Sequence, residues 1–430
     1  MTLNRRNILG GAALATLAAG AARAEAPATP AAAAPAPTAA PKPTLNERLA
    51  KAAREHRIPL AFNGRDFSGP GWDLILDEGR KSRFFLLGED HGIAQVPALA
   101  GALMTALKPA GYEHLGIEVS PPITADLDHA ALGGVAGLEA YFKQWPPGVA
   151  FYSWRQEAEM LARVRALYPA NHPVLWGLDY EVLGDRRLIS QLQKTAPASA
   201  RPALAKLAKA SNDAWAEWEK TRNPGALFTF SADPALVAAV RAAWPHPDAD
   251  SQWILETLEQ TLVINQHNAT ERYHQSNQVR ADFNRANFIR HWNAATAKGH
   301  APKAMFKMGG NHMMRGRSTT ECYDLGSLIS ECAALRGETS FHLFVGPGVG
   351  TKLAAFNPTT MKSDPAPAET WEEEGVEAIA GEALQDGLTL IDLRPFRDWL
   401  PNRADVRVSR IVHGFDAMLV LGGSTPSDDL

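Results

Sequence analysis

Cysteine is almost missing from this chain: its 430 residues contain two, Cys322 and Cys332. With no Cys-x-x-Cys there is neither a thiolate zinc site nor a thioredoxin-type redox motif. The pair leaves one disulfide or two buried thiols as the alternatives. Two motifs of common hydrolases are also missing. There is no Gly-x-Ser-x-Gly elbow and no His-Glu-x-x-His, which disfavours the usual serine hydrolases and the zincins. Excess charge is small: 43 basic and 47 acidic residues leave a net charge of −4, which argues against a nucleic-acid partner. No stretch offers the roughly 20 strongly apolar residues of a membrane-spanning helix.

What is present begins at the N-terminus, where Asn4-Arg5-Arg6-Asn7 precedes a mildly apolar, Ala- and Gly-rich stretch and the small-residue pattern Ala22-Arg23-Ala24. This pattern resembles a twin-arginine signal peptide over residues 1–24. Residues 25–43 are almost all Ala, Pro and Thr, a composition suited to an extended linker that buries no core. The expectation is a folded domain over 44–430, exported to the periplasm or secreted by the twin-arginine route, with no stable membrane span.

Short apolar runs at 84–87, 115–119 and 174–178 alternate with helix-like segments at about 96–107 and 154–168. Such alternation predicts α/β architecture: a central, mainly parallel sheet flanked by helices. From about 185 to 298 the strand signals vanish and Ala-rich helical periodicity takes over, which predicts a helical insertion or cap. Strand signals return at 304–308, 340–345, 388–393 and 417–421. Trp215 and Trp218, three apart on one helical face, either line a cleft in that cap or pack helices together.

Three of the apolar runs close on an acid or a histidine. Phe84 to Leu87 leads into Gly88-Glu89-Asp90-His91-Gly92, the second run contains Glu118, and the fourth leads into Gly309-Gly310-Asn311-His312. Carboxyl ends of strands are where open α/β sheets build their sites. On an extended segment Glu89 and His91 point the same way, and a carboxylate beside an imidazole raises its basicity for activating water. Glu118 supplies a second carboxylate and His312 a second imidazole. Glu89, His91, Glu118 and His312 also form a donor set for Zn²⁺, Mn²⁺ or Fe²⁺, so metal-free and metal-assisted hydrolysis both stay open. Arg280 and Asn287, seven apart, share one face of a helix expected over about 276–292. Arg280 there suits a substrate carboxylate or an oxyanion. Asp179 at the third strand exit is either a further site residue or a helix cap. Gly346-Pro347-Gly348-Val349-Gly350-Thr351-Lys352 has its lysine after the threonine and reads as a tight turn, not a phosphate loop.

With these residues in view, the chain resembles the erythromycin esterase-like and ChaN-type superfamily, which also takes in the Tiki-like proteases. The stretches that carry the resemblance are Leu87-Gly88-Glu89-Asp90-His91-Gly92, Gly116-Ile117-Glu118-Val119, Arg280 with Asn287, Gly310-Asn311-His312, and Phe415-Asp416-Ala417-Met418-Leu419-Val420. The resemblance implies a site made from Glu89, His91, Glu118 and His312, with Arg280 as a supporting cation. In the esterase branch the histidine of the first motif is the base that activates water against a macrolactone ester, which here would be His91. The single residue between Glu89 and His91 is closer to the ChaN-type branch, whose members are linked to haem or iron. Phe415-Asp416 and Ile391-Asp392-Leu393-Arg394 lean back to the esterases. The expected function is hydrolysis of an ester, lactone or amide in a small-molecule or peptide substrate. The alternative is a periplasmic haem- or iron-binding protein.

Overall fold

The computed structural model describes residues 42–430 except 298, 300, 369–374 and 386. The expected signal peptide, and all but the last two residues of the expected linker, lie outside the described residues.

Eleven strands are described: β1 Arg57–Phe62, β2 Phe67–Ser68, β3 Phe84–Glu89, β4 Tyr112–Ile117, β5 Leu175–Gly177, β6 Lys303–Gly309, β7 Ser340–Pro347, β8 Lys352–Asn357, β9 Lys362–Pro367, β10 Leu388–Asp392 and β11 Ala417–Leu421. Nine form one sheet in the order β2-β1-β10-β11-β7-β3-β6-β4-β5, and β8 and β9 make a separate hairpin. From β11 to β5 all pairings are parallel, while β10, β1 and β2 add an antiparallel edge. The fold class is therefore the expected one.

The apolar runs lack alternation because both faces of the sheet are covered. In β3, Phe84 and Leu86 pack into one core with Phe288, Phe306 and Trp176, whereas Phe85 and Leu87 pack into the other with Leu103, Leu107 and Leu343. Lys307 of β6 departs from this rule with the most polar side chain: Ala304, Met305, Phe306 and Met308 are buried apolar residues, and the lysine is buried among them.

Between β5 and β6 the described elements are all helical. The main helices are Asp185–Thr195, Arg201–Thr221, Ala249–Ala269 and Tyr273–Thr296. Asp248 starts the third by accepting a hydrogen bond from the Ser251 amide at 2.8 Å. Trp215 and Trp218 pack with Leu183 and Leu227 in a small apolar cluster, and the Trp215 indole donates to Asp185 Oδ1 at 3.1 Å. These tryptophans hold helices together. Gly348 to Thr351 form the turn from β7 into β8. Both cysteines are free thiols. Among the described residues no helix is long and apolar enough to cross a membrane.

Candidate active site

The parallel register brings the strand exits level. Glu89 of β3 lies opposite Gly309 of β6, and Ile117 of β4 lies opposite Lys307. Glu89, the residues just past β4 and β5, and the short helix after β6 therefore share the carboxyl edge of the sheet.

Strand geometry ends at Glu89, yet the two-residue spacing still pairs the side chains: Glu89 Oε1 lies 3.0 Å from His91 Nδ1. The opposite ring nitrogen, His91 Nε2, is 3.4 Å from Glu118 Oε2, and Glu118 Oε1 is 3.5 Å from His312 Nε2. Glu118 thus stands between two imidazoles. Its Oε1 also accepts from Arg280 Nη2 at 2.7 Å and its Oε2 from the Gly309 amide at 2.6 Å. A Cβ on Gly309 would come within 3.3 Å of Glu118 Oε2 and 3.4 Å of His91 Nε2, so glycine keeps open the space between the two groups. Gly92, at φ +89°, does the same for the backbone, since a Cβ there would lie 2.4 Å from the Ala354 carbonyl of β8.

The long helix Tyr273–Thr296 contributes Arg280, Asn284 and Asn287. Arg280 is ion-paired with both Glu118 and Asp179, its Nε donating to Asp179 Oδ1 at 2.9 Å. Asp179 is thus a buried site residue and no helix cap. Two carboxylates take the Nε and Nη2 donors of Arg280, so it holds Glu118 in position while 26% of its side chain stays exposed. Asn284, with its amide nitrogen turned toward Asp179, donates to Asp179 Oδ1 at 3.0 Å. Asn287 does not reach the site. It donates to the Leu178 carbonyl at 3.1 Å and clamps the exit of β5.

Sequence reasoning did not single out Lys307, Glu157, Tyr152, Phe151 or Asp324. The Lys307 ammonium, wholly buried, donates to Glu89 Oε1 at 2.7 Å and Glu157 Oε1 at 2.6 Å, and lies 5.0 Å from the centre of the Tyr152 ring. Tyr152 Oη donates to the Lys307 carbonyl at 3.2 Å and accepts from the Glu118 amide at 3.3 Å. Asp324 Oδ2 is 2.6 Å from His312 Nδ1, and its Oδ1 caps the helix Leu325–Ala334. The Phe151 ring stacks on His91 at 4.3 Å between centroids. A lysine inside an apolar run was the one legible signal, because a buried ammonium needs a carboxylate partner.

The electrostatics follow from this interleaving. Burial works against a charge on His91, but Glu118 and Glu89 outweigh it and push the imidazole up to about 10. At His312 burial and Arg280 oppose the proton, and Asp324 and Glu118 prevail, again to about 10. Both rings are therefore imidazolium at neutral pH. Glu118, despite its burial, is held well below the usual carboxylate range by His91 and His312. Burial raises Glu157 to about 7, with Glu89 adding to the shift against the pull of Lys307. His91 keeps 21% of its side chain exposed and Arg280 26%, whereas Glu118 keeps 5%, so solvent reaches this centre mainly past the histidine and the arginine.

For a cation, donor atoms of Glu118, Asp179 and His312 lie within 4.8 Å of one another. Of the two others expected in that set, Glu89 is tied to His91 and Lys307, and His91 stands between Glu89 and Glu118. Arg280 already bridges Glu118 and Asp179 with its own charge.

No family model and no curated protein matches the sequence. Solved structures do match. A Bacillus cereus protein superposes with a TM-score of 0.56 at 14% identity over 90% of this chain and all of its own. A succinoglycan biosynthesis protein gives 0.54 at 13% identity over 90% of this chain and 99% of its own. A mutant of the erythromycin esterase EreC, in its open conformation, gives 0.57 at 13% identity over 87% of this chain and 99% of its own. Likeness on this scale, extending over nearly the whole described chain, establishes that the protein has an erythromycin esterase-like fold.

Proposed function

We propose that the chain is an exported hydrolase of ester, lactone or amide bonds that works without a metal, through Glu118 between two imidazoliums. The carrying observation is that arrangement: one carboxylate flanked by His91 at 3.4 Å and His312 at 3.5 Å. The fold shared with an esterase supports the same reaction class, and the N-terminal sequence supports export.

In this reading Glu118 takes a proton from water as the water oxygen attacks the carbonyl carbon, its basicity, low while His91 is charged, rising as His91 gives up its own proton to the leaving atom. The His312 imidazolium, oriented by Asp324, stabilises the oxyanion. As the carbon–heteroatom bond breaks, His91 Nε2 gives its proton to the leaving oxygen or nitrogen. The proton on Glu118 then returns to His91 across their 3.4 Å separation, and the product acid loses its own proton to solvent. His91 is thus an acid first, where the resemblance alone suggested a base.

This assignment has a pH signature. His91 and His312 must carry protons, and their folded pKa values are raised to about 10. Turnover of a p-nitrophenyl ester, corrected for hydroxide, is therefore flat through neutrality and falls as pH rises through about 10. A rate that instead climbs through a histidine pKa near 6.5 would return the base role to neutral His91 and overturn the assignment.

The metal-free reading rests on Arg280, which already bridges Glu118 and Asp179 with its own charge, so that a cation would have to displace the guanidinium. Dialysis against a chelator should leave turnover unchanged. Loss of activity that Mn²⁺ or Zn²⁺ restores would sink the metal-free reading.

A further inference from the structure

Phe151 belongs to two environments. Its ring stacks on His91, and it also lines a cavity of about 290 Å³. The other walls are Phe142, Val149 and Trp154 from the segment around Phe151, and Phe356 and Met361 from the hairpin β8–β9.

The construction of this cavity is unusual. Five non-glycine residues among those described have φ in the left-handed region, and two of them, Phe151 at +62° and Met361 at +56°, line it. Each is a conformation that side chains other than glycine rarely adopt, and surrounding structure must enforce it. That enforcement is visible. Ser153 Oγ accepts from the Val149 amide at 2.6 Å, the Trp154 indole donates to Ser363 Oγ at 2.8 Å, and the Trp218 indole donates to the Pro358 carbonyl at 3.0 Å. The hairpin is thereby fastened to the helical region and to the Phe151 segment.

The charged residues at the cavity, Glu139, Lys143, Lys362 and Asp429, are two of each sign, and Lys143 is paired with Glu139 at 3.1 Å. They give no net attraction for an ionic group. Apolar walls with balanced charges at the rim suit a neutral hydrocarbon.

We infer that this cavity is a substrate subsite that receives an apolar group, a short alkyl chain or a single ring, attached to the bond cleaved at His91 and Glu118. The inference rests on the hydrolase reading and adds a substrate class to it. Hydrocarbon burial predicts about a three- to fourfold fall in KM per added methylene from p-nitrophenyl acetate through butyrate to hexanoate.

Binding is read separately with methyl hexyl ketone, which cannot be hydrolysed, by titration calorimetry against acetone. Wild type should bind the longer ketone at least tenfold more tightly. Ala150→Phe, which fills the cavity, should abolish that difference, and Phe356→Ala should move the preferred ester to a longer chain. Equal affinity for the two ketones in wild type, or an undiminished preference in a folded Ala150→Phe, overturns the inference. A protein that prefers the longer ketone and cleaves no ester would keep the apolar site and refute the hydrolase reading alone.

Discussion

Glu118→Gln lowers kcat by roughly a thousandfold, the scale of a lost general base, while the protein stays folded. The substitution is nearly isosteric, and its carbonyl oxygen can still accept from Arg280. What disappears is the capacity to take a proton from water. A second effect accompanies it, because Glu118 is the strongest of the groups that raise His91 and also helps to raise His312. In the variant both imidazoles titrate closer to neutrality, which NMR of the ring protons would record. If kcat with a p-nitrophenyl ester stays within about threefold of wild type, Glu118 is not the proton acceptor. An unchanged His91 titration would separately contradict the electrostatic account of the pair.

Lys307→Met lowers stability by about 3–5 kcal/mol, the usual consequence of removing one partner from a buried ion pair. The methionine fills the volume but leaves Glu157 without a cation and Glu89 with His91 alone, both carboxyls almost wholly inaccessible. The folded pKa of Glu157, already raised to about 7, then rises further, and Glu89 loses the ammonium that helps to hold it low. A carboxyl raised in this way is stable while protonated, so the deficit is small at low pH and widens as pH climbs above the unfolded value near 4.3. Thermal melts at pH 5 and pH 8 should show the larger loss at pH 8. Adding Glu157→Gln should recover a good part of it, because one buried charge then no longer needs a counterion. A single variant as stable as wild type at pH 8 would refute the claim that Lys307 holds the two carboxyls in place.

The strands expected at 84–87, 115–119, 174–178, 304–308, 340–345, 388–393 and 417–421 all exist, because strands covered on both faces must be apolar on both. The unforeseen strands are those where that reason fails. β1, Arg-Ile-Pro-Leu-Ala-Phe, lies near the antiparallel edge and carries a proline, and β9, Lys-Ser-Asp-Pro-Ala-Pro, is an exposed hairpin strand with two. The site shows the same division. Glu89, His91, Glu118 and His312 were visible because each follows an apolar run at a strand exit. Asp324 and Glu157 were not, since nothing near them in the chain distinguishes them from any cap or helix carboxylate and only tertiary packing brings them to His312 and Lys307. Arg280 was recognised as a site residue, but its pairing with Glu118 and Asp179 is one that no helical periodicity could reveal.

The position of β3 has a consequence for how the chain is made. β3 carries Glu89, and its only neighbours in the sheet are β6 and β7. Glu89 and Lys307, which meet across the β3–β6 pairing, are 218 positions apart. On the ribosome, β3 therefore emerges with both edges bare and waits while four further long helices are synthesised. Bare strand edges recruit other chains. A polypeptide that stops before Lys303 is left not with a smaller domain but with an apolar strand that lacks both of its sheet partners, the kind of edge that other chains can pair with.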